Sequence, residues 1–293
     1  MLCLNAAISY RTFTQIETCG SKTGRRDIAS KNLGGDNGVN LQFDQTLAID
    51  YSSRSQMIRV LTEEWVKNNI YCPRCGSPEI QRFPNNSAVA DFFCPNCGNE
   101  YELKSKSGVL GHKIADGAYD TFIRRITSYN NPDFFILNYN ADKLCVENVW
   151  MIPKHFFVPE VVEKRKPLSP VAQRAGWTGC NILLDKIPEQ GRIRIIYGGI
   201  PEDKETVLEQ VRRSSLLSTD SLEARGWLMD VLDCINRIQK QQFTLEDIYR
   251  FEWQLADKHP KNHNIRAKIR QQLQLLRDKG FIAFVGRGIY RKE

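Results

Sequence analysis

The sequence predicts a mixed α/β domain built around a metal-pinned hairpin, followed by a small helical domain that closes with a two-stranded wing. Three observations predict it. Two Cys-x-x-Cys pairs, Cys72/Cys75 and Cys94/Cys97, stand eighteen residues apart, within the spacing of a four-thiolate zinc site. Segments of period two alternate with helical patterns between Ser55 and Tyr197, as in mixed sheets covered by helices. From Leu222 onward the order is helix, helix, helix, strand, glycine turn, strand, which is that of a winged helix-turn-helix.

The 293 residues, 41% hydrophobic and 26% charged, have the composition of a folded protein with room for one large or two smaller cores. No apolar run reaches the ~18 residues a membrane helix needs, and the N-terminus lacks a basic start with an apolar core, so neither a membrane nor a secretory signal is expected. Cysteines arranged as Cys-x-x-Cys pairs without an export signal fit a reducing cytoplasm and bound metal better than disulfides. The net charge of +7 is uneven. Lys258 to Lys292 holds ten basic residues against Asp278 alone, so that stretch carries +9 and the remainder −2. Positive charge concentrated at one end is the footprint of a polyanion binder.

Residues 1–43, rich in Ser, Thr, Asn and Gly, show no sustained period and are expected to be a disordered extension. Met57, Val60, Leu61, Trp65 and Val66 then form the apolar face of a helix ending near Asn68. Glu63 and Glu64 near its end read as solvated or salt-bridged. In the central stretch each cysteine pair contains a Pro and is followed by Gly76 or Gly98, suiting the tight turns that aim two thiolates at one Zn²⁺ ion. Val89 to Phe93 reads as a short strand, and Asn99 to Lys106 as a longer one with Glu100, Glu102, Lys104 and Lys106 on one face. A hairpin pinned by zinc lays Asp91 beside Glu102 and Lys104. Two such carboxylates can hold Mg²⁺, and a neighbouring lysine can orient or deprotonate an attacking water. The pattern alone is equally that of an ordinary charged hairpin, and Glu-x-Lys recurs at Glu202 to Lys204 in an expected surface loop.

Downstream, Asp116 to Ile126 reads as a helix, with Arg124 and Arg125 on its solvated surface. Asp133 to Tyr139 reads as a strand buried on both faces, and Val146 to Phe157 as a strand broken at Pro153. The basic loop Lys164 to Asn181 presents Trp177 between Gly176 and Gly179, a residue that on its own reads as a core plug rather than a stacking surface. Arg192 to Tyr197 closes the domain, which is expected to span residues 44–213. A Ser-rich linker follows at 214–221, then the winged helix at 222–293. In that domain Arg266, Lys268, Arg270 and Gln271 of the third helix and Arg287 at the wing tip are candidate DNA contacts, with Leu273, Leu276, Phe281 and Phe284 in the core.

Taken together, YCPRCG, VADFFC, ELKSKSG, DGAYDTFIRR, NNPDFF, RKPLSPVAQRAGWTGCNI and IRQQLQLLRDKG with GRGIYRK resemble the DpnI-type methyl-directed restriction endonucleases, in one register from about Asp44 to the C-terminus. The resemblance implies a PD-(D/E)xK nuclease domain with a zinc site, joined to a winged helix. It also implies cleavage of double-stranded DNA at GATC carrying N6-methyladenine, by a monomer. Asp91 and Glu102, with the Leu103 carbonyl, would be the Mg²⁺ ligands, Lys104 would serve the attacking water, and Cys72, Cys75, Cys94 and Cys97 would hold structural zinc. Trp177 would read the methylated bases, against the core-plug reading. Ala90 stands where the family pattern has a proline. The competing expectation is an inactive reader of methylated DNA that keeps the zinc knot and the winged helix.

Overall fold

A computed structural model describes residues 39–84, 90–219 and 221–293. In chain order the elements are α1 (Arg54–Asn69), β1 (Gln81–Arg82), β2 (Phe92–Phe93), β3 (Glu100–Ser107), β4 (Lys113–Ala118), α2 (Tyr119–Thr127), β5 (Asp133–Asn140), β6 (Cys145–Ile152), β7 (Val162–Lys164), β8 (Gly179–Leu183), β9 (Ile193–Tyr197), β10 (Ile200–Pro201) and α3 (Lys204–Ser215). The C-terminal part adds α4 (Leu222–Arg237), β11 (Gln242–Thr244), α5 (Leu245–Tyr249), α6 (Glu252–Lys258), α7 (Ile265–Asp278), β12 (Ile282–Gly286) and β13 (Ile289–Lys292). Among the described residues the strands form three sheets: β1-β2-β3-β5-β6-β9-β10, β4-β8-β7 and β11-β13-β12. In the large sheet β3 and β5 are parallel, while the other neighbours are antiparallel.

Strand β5 explains why the sequence DFFILNY is apolar without alternation. Its odd residues Phe135, Leu137 and Tyr139 belong to a core shared with Leu61, Trp65 and Val66 of α1 and Val207 and Val211 of α3. Its even residues Phe134 and Ile136 enter a second core with Phe122 and Ile126 of α2 and Ile182 of β8. That second core runs on without a break into Trp227, Val231 and Ile235 of α4 and Ile269 and Leu273 of α7. A strand covered on both faces has no solvent face to mark with polar residues.

The same continuity changes the expected linker. Ser214 and Ser215 end α3, and Ser214 and Leu217 are buried, so much of 214–221 is packed rather than strung between domains. Asp203 caps α3 by accepting from the Thr206 amide, with Val207 and Val211 one turn apart on the buried face; this helix was absent from the sequence expectation. Residues 1–38 of the expected extension lie outside the described residues. Asn40 to Phe43 belong to the fold: the Asn40 carbonyl accepts from Trp65 Nε1 at 2.7 Å, Gln42 bridges Cys145, and Phe43 is buried.

The helical part follows the expected order, with β11 pairing β13 as an addition. Thr244 and Asp247 form a reciprocal capping box at α5, and Gly280 takes φ +74° after α7, a left-handed stop that glycine adopts without strain. Leu273, Leu276 and Phe281 are buried as expected. Phe284 is not: it is 54% exposed on the wing and meets Tyr290 edge-on at 6.0 Å. Ile282, two residues earlier on the same strand face, is buried, so the exposure of Phe284 reflects its place further along β12 towards the Gly286–Gly288 turn, beyond the reach of the helices.

Asp133 at the start of β5 is a fully buried carboxylate. It accepts from Arg74 Nε at 2.7 Å and Nη2 at 2.8 Å, from Asn99 Nδ2 at 2.8 Å and from the Lys154 amide at 2.8 Å. Breaking one side of such a pair leaves an uncompensated buried charge. Asp133→Ala is therefore expected to destabilise the protein by about 3–5 kcal/mol, read from urea-unfolding curves. A parental midpoint would show that the carboxylate is not an anchor.

Candidate active site and metal centre

The two cysteine pairs form turns of the same kind. The Gly76 amide donates to the Cys72 carbonyl and the Gly98 amide to the Cys94 carbonyl, each at 2.9 Å, and both glycines have positive φ (+76° and +70°), where a side chain would be strained. The four Sγ atoms lie within 4.8 Å of one another. The Cys72–Cys97 and Cys75–Cys94 separations are 3.6 Å, close to the ~3.8 Å edge of a tetrahedron with metal–sulfur bonds of ~2.3 Å. Burial pushes the Cys72 thiol up. Cys75 is held down at about 6 despite burial, by hydrogen bonds from Asn96 and the Ser77 amide and by its thiol neighbours. The four sulfurs are grouped so that they can hold a metal ion such as zinc.

This centre fixes the hairpin beside it. Tyr101, fully buried, places its hydroxyl 3.0 Å from Cys72 Sγ and stacks its ring on Phe135 at 4.6 Å. Strand β2 is shorter than expected, and Val89 lies outside the described residues. Asp91 nonetheless sits in the ladder, its amide donating to the Tyr101 carbonyl at 3.0 Å and its carbonyl accepting from the Phe83 amide at 2.9 Å. The pairing Phe92↔Tyr101 and Phe93↔Glu100 brings Asp91, just before β2, to the same cleft as Glu102 and Lys104.

Asp91 Oδ2 accepts from the Leu103 amide at 2.7 Å. Its carboxyl is raised above the ordinary range, first by burial and further by nearby Glu63, against the Leu103 hydrogen bond and Lys104. Glu63 is itself buried and is paired with Arg59 Nε at 2.6 Å and with Arg82, so it is salt-bridged, as one of the two sequence readings had it. Lys104 Nζ lies 2.5 Å from Glu102 Oε1 and 2.6 Å from Asp116 Oδ1. Burial works to lower the lysine's pKa, but the two carboxylates overcome it and raise it.

Asp91, Glu102, Lys104 and Asp116 line one open cleft of about 640 Å³, together with Thr121, Phe122, Arg124 and Arg125. The structure therefore brings the three expected hairpin residues together and adds Asp116. The sequence reading put Asp116 at the start of a helix. It is instead in β4, opposite Cys180 of β8, because Asp116-Gly117 sits in a strand pair and α2 begins only at Tyr119. Arg124 and Arg125 line this cleft; Arg124 is exposed, as expected of a solvated helix surface, whereas Arg125 is half-buried. The second Glu-x-Lys, at Glu202 to Lys204, is exposed at the end of β10, away from any such hairpin.

Other expected contacts scatter. Trp177 is half-buried and neither a core plug nor bare: its ring lies over the backbone of Gly179, where a Cβ would meet Cη2 at 2.8 Å, and Arg174 stacks 4.8 Å from its centroid. On α7, Arg266 pairs with Glu252 at 2.8 Å and Arg270 donates to the Tyr249 hydroxyl at 2.8 Å. Gln271 is exposed. Lys268 is partly buried, 5.9 Å from the Trp227 ring, and so lies toward α4 rather than on the outer face. Arg287 is exposed at the wing turn.

A family model described as the Dam-replacing family, DpnI, matches residues 39–220, more than half of the chain. The chain belongs to the Dam-replacing (DpnI) family. A second model, described as the Dam-replacing HTH domain, matches residues 223–292, the span of α4 to β13. Membership in the Dam-replacing family points to a methyl-directed restriction enzyme or a related function, and its HTH domain to DNA binding. No helix among the described residues is long and apolar enough to cross a membrane.

Metal analysis of the purified protein is expected to find about one zinc per chain, lost in Cys72→Ser together with a lower melting temperature. Zinc retained at the parental level in that variant would exclude the four-thiolate site.

Proposed function

We propose that the chain is a type II methyl-directed restriction endonuclease that hydrolyses double-stranded DNA at GATC sites carrying N6-methyladenine. In this reading residues 44–213 are a PD-(D/E)xK nuclease domain with structural zinc, 214–221 connect it, and 222–293 are a winged helix that binds DNA; the protein acts as a cytoplasmic monomer. The observation that carries the reading is the set of Asp91, Glu102 and Lys104 in one cleft bordered by two arginines, within a chain of this family.

The donor set suits a hard cation. Asp91 and Glu102 offer carboxylate oxygens from adjacent strands, and the Leu103 carbonyl would add a third. Mg²⁺ held there would supply Lewis-acid stabilisation of the charge that develops on the phosphodiester. Lys104 brings an ammonium to the same cleft, where it orients the attacking water and balances negative charge on the phosphate oxygens. Hydrolysis places the water oxygen on phosphorus, breaks one P–O bond, gives one water proton to the departing deoxyribose oxygen and leaves the other to the phosphate or solvent. In this reading exposed Arg124 meets the phosphate backbone, which positions the duplex without reading sequence.

Reading of the methylated bases is assigned to Trp177, whose half-buried indole sits against Gly179 under the Arg174 guanidinium, which would have to move aside for a base to stack there. Exposed Gln271 and Arg287 are the freest of the winged-helix candidates, because Arg266 and Arg270 first have to release their protein partners.

Digestion of methylated and unmethylated GATC plasmids with Mg²⁺ decides the reading: only methylated DNA should be cut, and equal cutting of both, or of neither, sinks it. Lys104→Ala should abolish cleavage yet retain duplex binding in a gel-shift assay, whereas unchanged cutting would exclude Lys104. Trp177→Ala should lower the preference for methylated over unmethylated duplex by about 10-fold, and a parental preference would remove Trp177 from methyl readout.

A further inference from the structure

We propose that Asp116 is a positioning residue: it holds the Lys104 ammonium and so lets Glu102 turn to a divalent cation. The inference rests on the nuclease reading above and deepens it.

Lys104 Nζ stands between two carboxylates, 2.5 Å from Glu102 and 2.6 Å from Asp116, with its side chain only 17% exposed. Glu102 cannot serve both partners fully. As its charge turns to a cation, an ammonium with no other counter-charge is left beside that cation and repels it. Asp116 supplies the second counter-charge, so Lys104 stays in place when Glu102 is engaged.

Three features make Asp116 fit that role rather than that of an incidental neighbour. Its side chain is 6% exposed, and Oδ2 is buried with no hydrogen-bond partner among the described residues, an expensive state for a carboxylate without a charge beside it. The β4–β8 register shifts between Asp116 and Ala118, with Asp116 opposite Cys180 and Ala118 opposite Gly179. Gly117 is thus the extra residue of a bulge, and bulges re-aim side chains beside active sites. The Gly117 amide donates to Asp116 Oδ1 at 2.6 Å, fixing the oxygen that Lys104 meets. The carboxylate reaches Lys104 from the small sheet, while Lys104 and Glu102 belong to the large one.

The test uses the full chain bound to a methylated GATC duplex, with Ca²⁺ as a cation of the same oxygen preference titrated by calorimetry. Asp116→Asn keeps the shape and an acceptor for Gly117 but removes the charge. It is expected to weaken Ca²⁺ binding by about tenfold and to raise the half-saturating Mg²⁺ for cleavage by a similar factor, with duplex affinity in EDTA changed by less than about twofold. Asp116→Glu should recover most of the loss. In a Lys104→Gln background, Asp116→Asn should have almost no further effect on Ca²⁺, because the ammonium it manages is gone.

Parental Ca²⁺ affinity in Asp116→Asn overturns the proposal, as does an effect that persists undiminished in the Lys104→Gln background. If Asp116→Asn fails to fold, the comparison of Asp116→Glu with the parent carries the test, and a Ca²⁺ affinity unrelated to the retained charge overturns it. A parent that binds no Ca²⁺ and cuts no methylated duplex sinks the nuclease reading itself. A parent that does both, with Asp116→Asn unchanged, sinks only the role of Asp116.

Discussion

The fully buried carboxylate of Asp133 is the point on which the rest of the molecule is hung. One residue starts the central strand and receives four hydrogen bonds from three places: Arg74 inside the first cysteine turn, Asn99 just after the second, and the Lys154 amide where β6 ends. Arg74 also donates to Ser215 at the end of α3 at 3.0 Å. A buried charge is tolerated only when fully paired, so this requirement fixes the cysteine turns, the sheet and the last helix before α4 in one arrangement. The cysteine cluster is therefore not a free-standing knot. It is bolted to the sheet on one side by Asp133 and on the other by Tyr101, whose hydroxyl meets Cys72.

That anchoring explains how a short hairpin can position chemistry. Strand β2 has only two residues, too few to hold a register by itself. With its cysteine turn fixed and Tyr101 stacked in the core, the pairing of Phe92 with Tyr101 is determined, and a one-residue slip would turn the carboxylates to the opposite face. The cleft is then completed from outside the hairpin, by Asp116 from the small sheet and by Arg124 and Arg125 from α2. The helical part is joined through a common core that includes Phe156, Phe157, Trp227 and Val231, which limits how independently it can move.

Much of this was legible in the chain. The cysteine spacing, the alternation after Asn99, the apolar run of β5 and the capping signals at Thr244 and Gly280 are local, and local chemistry decides them. The misses share a cause. Asp116 and Gly117 carry a turn-like dipeptide that became a bulge because β8 was there to pair with it. Phe284 has a core-like neighbourhood in sequence but no layer above it. The serines at 214–215 look like linker and are helix, because Asp203 caps α3 and Val207 and Val211 bury it.

The sequence by itself determined the cysteine cluster, the shared face of Glu102 and Lys104 on one strand, and the order of the winged helix, since each follows from spacing within a few tens of residues. Only the tertiary structure decided that a third carboxylate reaches Lys104, that Lys268 lies toward α4 rather than outward, and that the two parts share one core. Those depend on which distant strands and helices meet, and burial and pairing between them are set by the packed whole rather than by any stretch of the chain.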